Sequence, residues 1–152
     1  PGLLQGYMVG ELNPDAVELL TLNIGALVSR CKDESGNPIN SFEPSEIHCR
    51  DALDWAKDAD SLHQTDLLLV NLPHHSIEHI EALLPLLKRN QTTVLRGWAI
   101  VERAESDENE AAIRLAISSA NGTVEKFSFK EVKGFSTTKS FMCFEAWLNL
   151  SA

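Results

Sequence analysis

Hydrophobic positions along the chain recur with two periods that take turns. "YMVGEL" (residues 7–12) is a short apolar run ending in an acid and reads as a buried strand. In "NPDAVELLTLNIGALVSR" the residues Val17, Leu20, Ile24, Leu27 and Val28 keep a helical repeat, so one stripe faces a core. The start of that helix has a local cause. Asn13 is a capping residue, Pro14 suits the first helical position, and Asp15 and Glu18 lie near the positive end of the helix dipole. The turn-rich "CKDESGNPINSFEPSE" reads as an exposed loop. "IHC" (47–49) is a second short strand, and "RDALDWAKDAD" a brief amphipathic helix that buries Leu53 and Trp55.

The second half repeats the alternation. "DLLLVN" (66–71) is a continuous apolar run, of the kind buried on both faces of a parallel sheet. "SIEHIEALLPLLKR" predicts a helix capped by Ser76, with Ile77, Ile80, Leu84 and Leu87 on one face and Pro85 kinking or shortening it. "TTVLRGWAIVE" is a strand weakened in its middle by Gly97. "SDENEAAIRLAISSANG" is a helix with a Ser-x-x-Asn entry and a Gly122 exit. "TVEKFSFKEV" and "KSFMCFEAWLNL" alternate apolar with polar residues, as two antiparallel strands do. The order β-α-β-α-β-α-β-α-β-β predicts an α/β fold: a mostly parallel, doubly wound sheet with a C-terminal antiparallel strand pair.

Composition narrows the setting. The 152 residues suit one domain, here 1–152, and are 43% hydrophobic and 23% charged. No apolar run approaches the ~20 residues that span a bilayer, so no membrane role is expected. Three widely spaced cysteines (Cys31, Cys49, Cys143), with no CxxC, point to a reducing, cytoplasmic compartment and to buried or inert thiols. His74 and His75 are adjacent, so their side chains diverge. With no third ligand apparent, no metal is expected. The net charge of −9 is uneven: residues 1–80 carry 13 acids and 4 bases, residues 81–152 carry 9 of each. Such acidity disfavours a broad phosphate-binding surface and leaves room for a local basic patch in the second half.

Candidate chemistry gathers at strand ends. In open α/β sheets, ligands lie outside the carboxyl ends of the strands. Glu11, Asp51 and Asn71 fall at three successive ends. A carboxylate there accepts hydrogen bonds from ribose hydroxyls or an adenine amino group, and an amide offers both a donor and an acceptor. Each also has a purely structural reading: a solvated strand end for Glu11, a helix cap for Asp51, a turn before Pro73 for Asn71. Trp55 and Trp147 read as core, and Trp98 as a residue near a strand end. Arg96, Lys133 and Lys139 form either a phosphate patch or ordinary surface charge.

"GELNPDAVELLTLNI", "CRDAL" and "DLLLVNLPHHS" resemble successive motifs of class I S-adenosylmethionine-dependent methyltransferases. The specific likeness is to the archaeal and eukaryotic tRNA guanine-N1 methyltransferases acting beside the anticodon, and to their wyosine-pathway relatives. The resemblance implies a Rossmann-like class I sheet, S-adenosylmethionine as cofactor and tRNA as partner. It implies Glu11 of "ELNP" at the cofactor ribose, Asn13 of the same motif among the cofactor-binding residues, and Asp51 with Ala52 at adenine. Asn71 and Pro73 of "NLP" then lie beside methyl donor and target base. The tail "VKGFSTTKSFMCFEAWL" resembles the final loop and strand, placing Lys133 and Lys139, with Arg96, near substrate. The family's fold opens with a strand and Gly-rich turn, whereas "PGLLQG" resembles the tail of the helix that follows them. That implies two half-sheets and an expected partner chain or N-terminal segment to join them. "LRGWAIVER" stands where the family carries a Gly-Gly-x-Ile-His-like signature, which leaves the target base open. Alternatives are aminocarboxypropyl transfer from the same cofactor, a non-catalytic methyltransferase-like scaffold subunit, and a methyltransferase acting on a small molecule or protein.

Overall fold

A computed structural model describes residues 6–32, 35–37 and 45–151. Most of the predicted 31–46 loop and of the "PGLLQG" segment lies outside the described residues. The chain forms two compact units, Pro1–Asp54 and Trp55–Ala152.

The first unit is a β-α-β motif. Strand β1 (Tyr7–Gly10) pairs in parallel with β2 (Ser45–His48), and the helix α1 (Pro14–Val28) makes the crossover. Asn13 caps α1 as expected: its Oδ1 accepts from the Asp15 N–H at 3.0 Å, and Pro14 takes the first helical position. Of the predicted stripe, Val28 is buried and Val17, Leu20 and Ile24 are half-buried. Leu27, at the edge of that stripe, is 53% exposed and drops out of it. The next helix, α2 (Ala52–Trp55), at which the chain passes into the second unit, is only one turn long, where eleven residues were expected. The cause is Asp58. Its backbone C=O accepts from the Ser61 N–H at 3.0 Å and its carboxylate from the Asp60 N–H at 3.2 Å, a local turn that competes with helix.

The second unit is a four-stranded sheet of order β3-β4-β6-β5, built from β3 (Leu67–Val70), β4 (Thr92–Glu102), β5 (Gly122–Gly134) and β6 (Lys139–Leu150). β3 and β4 are parallel, while β6 runs antiparallel to both β4 and β5. The helices α3 (Ser76–Leu83) and α4 (Ser106–Ser119) cover one face. Ile80, Leu84, Ile113 and Ile117 are fully buried there with Leu95, Phe144, Ala146 and Leu148. Burying a side chain of this size stabilises by roughly 1.5–3 kcal/mol, so this face holds the second unit together. Pro85 ends α3 as predicted, and the chain continues as one 3-10 turn (Leu84–Leu86). Ser76 is not the cap. That position is His75, whose side chain makes no capping bond to the helix backbone, and Ser76 Oγ instead accepts from the Leu72 N–H at 3.1 Å.

Two glycines act through close approach. Gly97 does not interrupt β4, which runs eleven residues. A Cβ there would run into the Phe144 ring and come within 2.7 Å of the Val70 carbonyl oxygen. Gly122 opens β5 rather than closing α4. The left-handed residue after α4 is Asn121, at φ 58°.

The opposite sheet face differs from expectation. Leu67 and Leu69 are 51% and 56% exposed, so β3 is not buried on both faces, and Trp147 on the same face is 42% exposed rather than core. Cross-strand register puts Val94, Trp98, Ile100, Phe141 and Cys143 on that face too. No helix among the described residues is long and apolar enough to cross a membrane.

Candidate functional site

Strand ends carry the expected residues in both units. In the first, the Glu11 N–H donates to the His48 carbonyl at 3.0 Å, which continues the β1–β2 pairing by one residue. Its carboxylate Oε1 accepts from the Asn13 N–H at 2.9 Å. The turn "ELN" is thus closed by its own acid, which holds the half-buried carboxylate at the strand end. Asp51 follows β2, and its Oδ1 accepts from the Leu53 N–H at 2.9 Å, so it caps α2 with Ala52 as the first helical residue. Glu11, Asn13 and Asp51 therefore each hold a backbone N–H two residues on, a local structural duty, and each of the two carboxylates keeps a second oxygen beyond that bond.

In the second unit the Asn-Leu-Pro turn leaves β3 under three restraints. Leu72 N–H bonds Ser76 Oγ, itself only 1% exposed. Leu72 C=O accepts from His75 N–H at 2.7 Å, and Pro73 C=O accepts from Ile100 N–H at 2.8 Å. The last bond extends β4's pairing past the end of β3, so the turn is fastened to the neighbouring strand. Asn71 is exposed at this end and Pro73 half-buried.

Past the turn lies a cleft of about 270 Å³, framed by Pro73, His74 and Ile77 on one side and Ala99 to Glu102 on the other. Lys139, Glu78, Glu105 and Asn109 complete its rim. Lys139 Nζ stands 3.4 Å from Glu102 Oε1, with both side chains partly exposed. His75 pairs with Glu78 at 3.3 Å, and His74 meets Phe135 edge-on with ring centroids 6.3 Å apart. Phe135 belongs to the β5–β6 turn, which Arg103 ties to the end of β4. Arg103 N–H donates to Thr138 C=O at 2.8 Å, and its guanidinium to Ser140 Oγ at 2.8 Å and Thr137 C=O at 3.3 Å.

Of the predicted substrate residues, only Lys139 joins Pro73 at this cleft. Arg96 lies in mid-strand on the open sheet face, 3.4 Å from Glu145 directly across the ladder. Trp98 is likewise in mid-strand, not near an end. Lys133 is exposed on β5, with Nζ 5.8 Å from the Phe141 ring centre. None of the three cysteines is fully buried and Cys49 is exposed. No group of three or more metal-ligating side chains occurs among the described residues. Glu102 carries no motif of its own in the sequence. It stands at the carboxyl end of β4, so the strand-end rule that selected Glu11, Asp51 and Asn71 selects it as well.

No protein-family model matches the chain, and no curated protein matches it. Solved structures do. TYW2 of M. jannaschii, in complex with AdoMet, superposes with a TM-score of 0.73 at 13% identity over 96% of this chain and 58% of that one. Trm5b of Pyrococcus abyssi gives 0.67 at 12% identity over 96% and 38%. The tRNA m1G37 methyltransferase of M. jannaschii gives 0.59 at 19% identity over 93% and 37%. The chain therefore has the class I methyltransferase fold, and it spans 58% or less of the length of these three proteins.

Proposed function

We propose that this chain is the methyltransferase-like catalytic domain of a cytoplasmic, S-adenosylmethionine-dependent tRNA methyltransferase that acts on N1 of a guanine near the anticodon. The observation that carries the reading is the Asn71-Leu72-Pro73 turn, fastened to β4 and opening on a cleft at the carboxyl end of the sheet. Structural likeness to TYW2, to Trm5b and to a tRNA m1G37 methyltransferase supports it. The acceptor set fits the cofactor's nucleoside. Glu11 keeps one carboxylate oxygen on Asn13 N–H and offers the other to ribose hydroxyls, while Asp51, beside Ala52, offers Oδ2 to an adenine amino group.

When bound, the cofactor supplies a methyl group on a sulfonium, already an activated electrophile, so the protein's task is alignment. Asn71 orients the acceptor ring through its amide, and Pro73 holds the turn rigid beside it. Lys139 stands at the rim of the cleft on the substrate side. Lys133 and Arg96, away from the cleft, are assigned to the nucleic-acid backbone. Aminocarboxypropyl transfer would use the same residues, and the Asn-Leu-Pro turn favours methyl transfer over it.

The test is a calorimetric titration of the chain with S-adenosylhomocysteine. Micromolar binding is expected, lost in Glu11→Ala and weakened about tenfold in Asp51→Ala, the size expected for one hydrogen bond to a charged group. Methylation of tRNA at guanine is the activity to assay next. A folded chain that does not bind would overturn the reading. It would favour a second one, a non-catalytic binding subunit, for which the exposure of Leu67, Leu69 and Trp147 on one sheet face argues.

A further inference from the structure

The cleft beside the Asn-Leu-Pro turn carries an ion pair that the fold does not need. Glu102 and Lys139 face each other across the ladder at the last register position of β4 and the first of β6, where strand pairing is already closing. Their side chains remain 38% and 45% exposed at 3.4 Å, a geometry that contributes little to stability in water. Pro73, Ile77 and Ile100 supply apolar surface among the polar side chains that line the cleft, and such surface suits the faces of a flat ring. The pair sets one acceptor group and one donor group side by side above that surface. Lys139 is the only lysine or arginine lining the cleft among the described residues.

Resting on the reading of the chain as a guanine-modifying enzyme, we propose that Glu102 and Lys139 are its base-selecting residues. The carboxylate of Glu102 accepts from the 2-amino group and the ammonium of Lys139 donates to O6. These are the two groups that flank N1 in guanine, so the pair parts around the base and leaves N1 open between them. Each charged group exchanges a solvent-exposed partner for a hydrogen bond inside the cleft. Adenine presents a donor where Lys139 requires an acceptor and has no 2-amino group. Hypoxanthine keeps O6 and lacks only the amino group. Glu78 and Glu105 are weaker candidates for the acceptor, since Glu78 pairs with His75, which does not line the cleft, and Glu105 is exposed just ahead of α4.

The experiment titrates the full chain with GMP, IMP and AMP, following the Trp98 indole and the Ala99 and Ile100 amides by NMR, with S-adenosylhomocysteine titrated in parallel. GMP is expected to bind about tenfold more tightly than IMP, and AMP more weakly than both. Glu102→Ala should bring GMP down to the level of IMP and leave IMP unchanged. Lys139→Met should weaken GMP and IMP alike, and neither variant should alter S-adenosylhomocysteine binding. A folded wild-type chain that binds the three nucleotides equally, or binds none, overturns the proposal. So does a Glu102→Ala variant that keeps the full preference for GMP over IMP. If S-adenosylhomocysteine fails to bind while the purine order and its response to both variants hold, the base selection stands and the methyl-transfer reading falls.

Discussion

At the scale of single residues, contacts made by distant parts of the chain outweigh local propensity. Gly97 reads in sequence as a weak point in a strand, yet it is where the Phe144 ring and the Val70 carbonyl oxygen press against β4. Gly97→Ala should therefore destabilise by about 1–3 kcal/mol, because one obstacle is backbone that cannot rotate away. A urea midpoint lowered with an unchanged slope is the expected result, and an unshifted midpoint would show that Phe144 has room to yield. Ser76 teaches the same lesson, since a good capping residue on paper serves instead as acceptor for the turn before the helix. Asn13 and Asp51 were legible as caps from sequence because capping needs only neighbours two residues away.

Among the elements, the periodic segments were the most legible. α1, α3, α4 and all six strands lie where hydrophobic repeat and turn residues placed them, since repeat and burial are one constraint seen twice. The shortfall of α2 came from a side chain–backbone competition at Asp58 that a hydrophobic pattern does not register. Arg103 ties the tip of the β5–β6 hairpin to the end of β4. Arg103 bonds the Ser140 hydroxyl, Thr137 C=O and Thr138 C=O, and Ser140 in turn donates to Glu131 at 2.9 Å. Arg103→Ala should cost about 1–2 kcal/mol and speed amide exchange at Phe135 and Ser136 while leaving β4 protected. Unchanged exchange at the hairpin tip would show that the turn's own bonds to Lys139 suffice.

On the scale of the whole molecule, the proposed tRNA partner would meet a chain of net charge −9, so electrostatics constrains where it can bind. Register places Lys126, Lys130 and Lys133 along one face of β5, opposite Trp147, Cys143 and Phe141. If these three carry the phosphate contacts, log K for RNA should fall with log salt at a slope of about −2 to −3. Replacing all three with Gln should flatten that slope and leave S-adenosylhomocysteine binding intact. A slope indifferent to the replacement would move the RNA contact elsewhere. The sequence by itself determined the element order, the antiparallel ending and the strand-end positions of Glu11, Asp51 and Asn71, because periodicity, caps and breakers act over a few residues. Only the tertiary structure decided that Lys139 rather than Arg96 stands beside Pro73, that Glu102 faces it, and that Leu67, Leu69 and Trp147 are exposed. Those facts depend on strand order and register, which join residues tens of positions apart and leave no local trace in the chain.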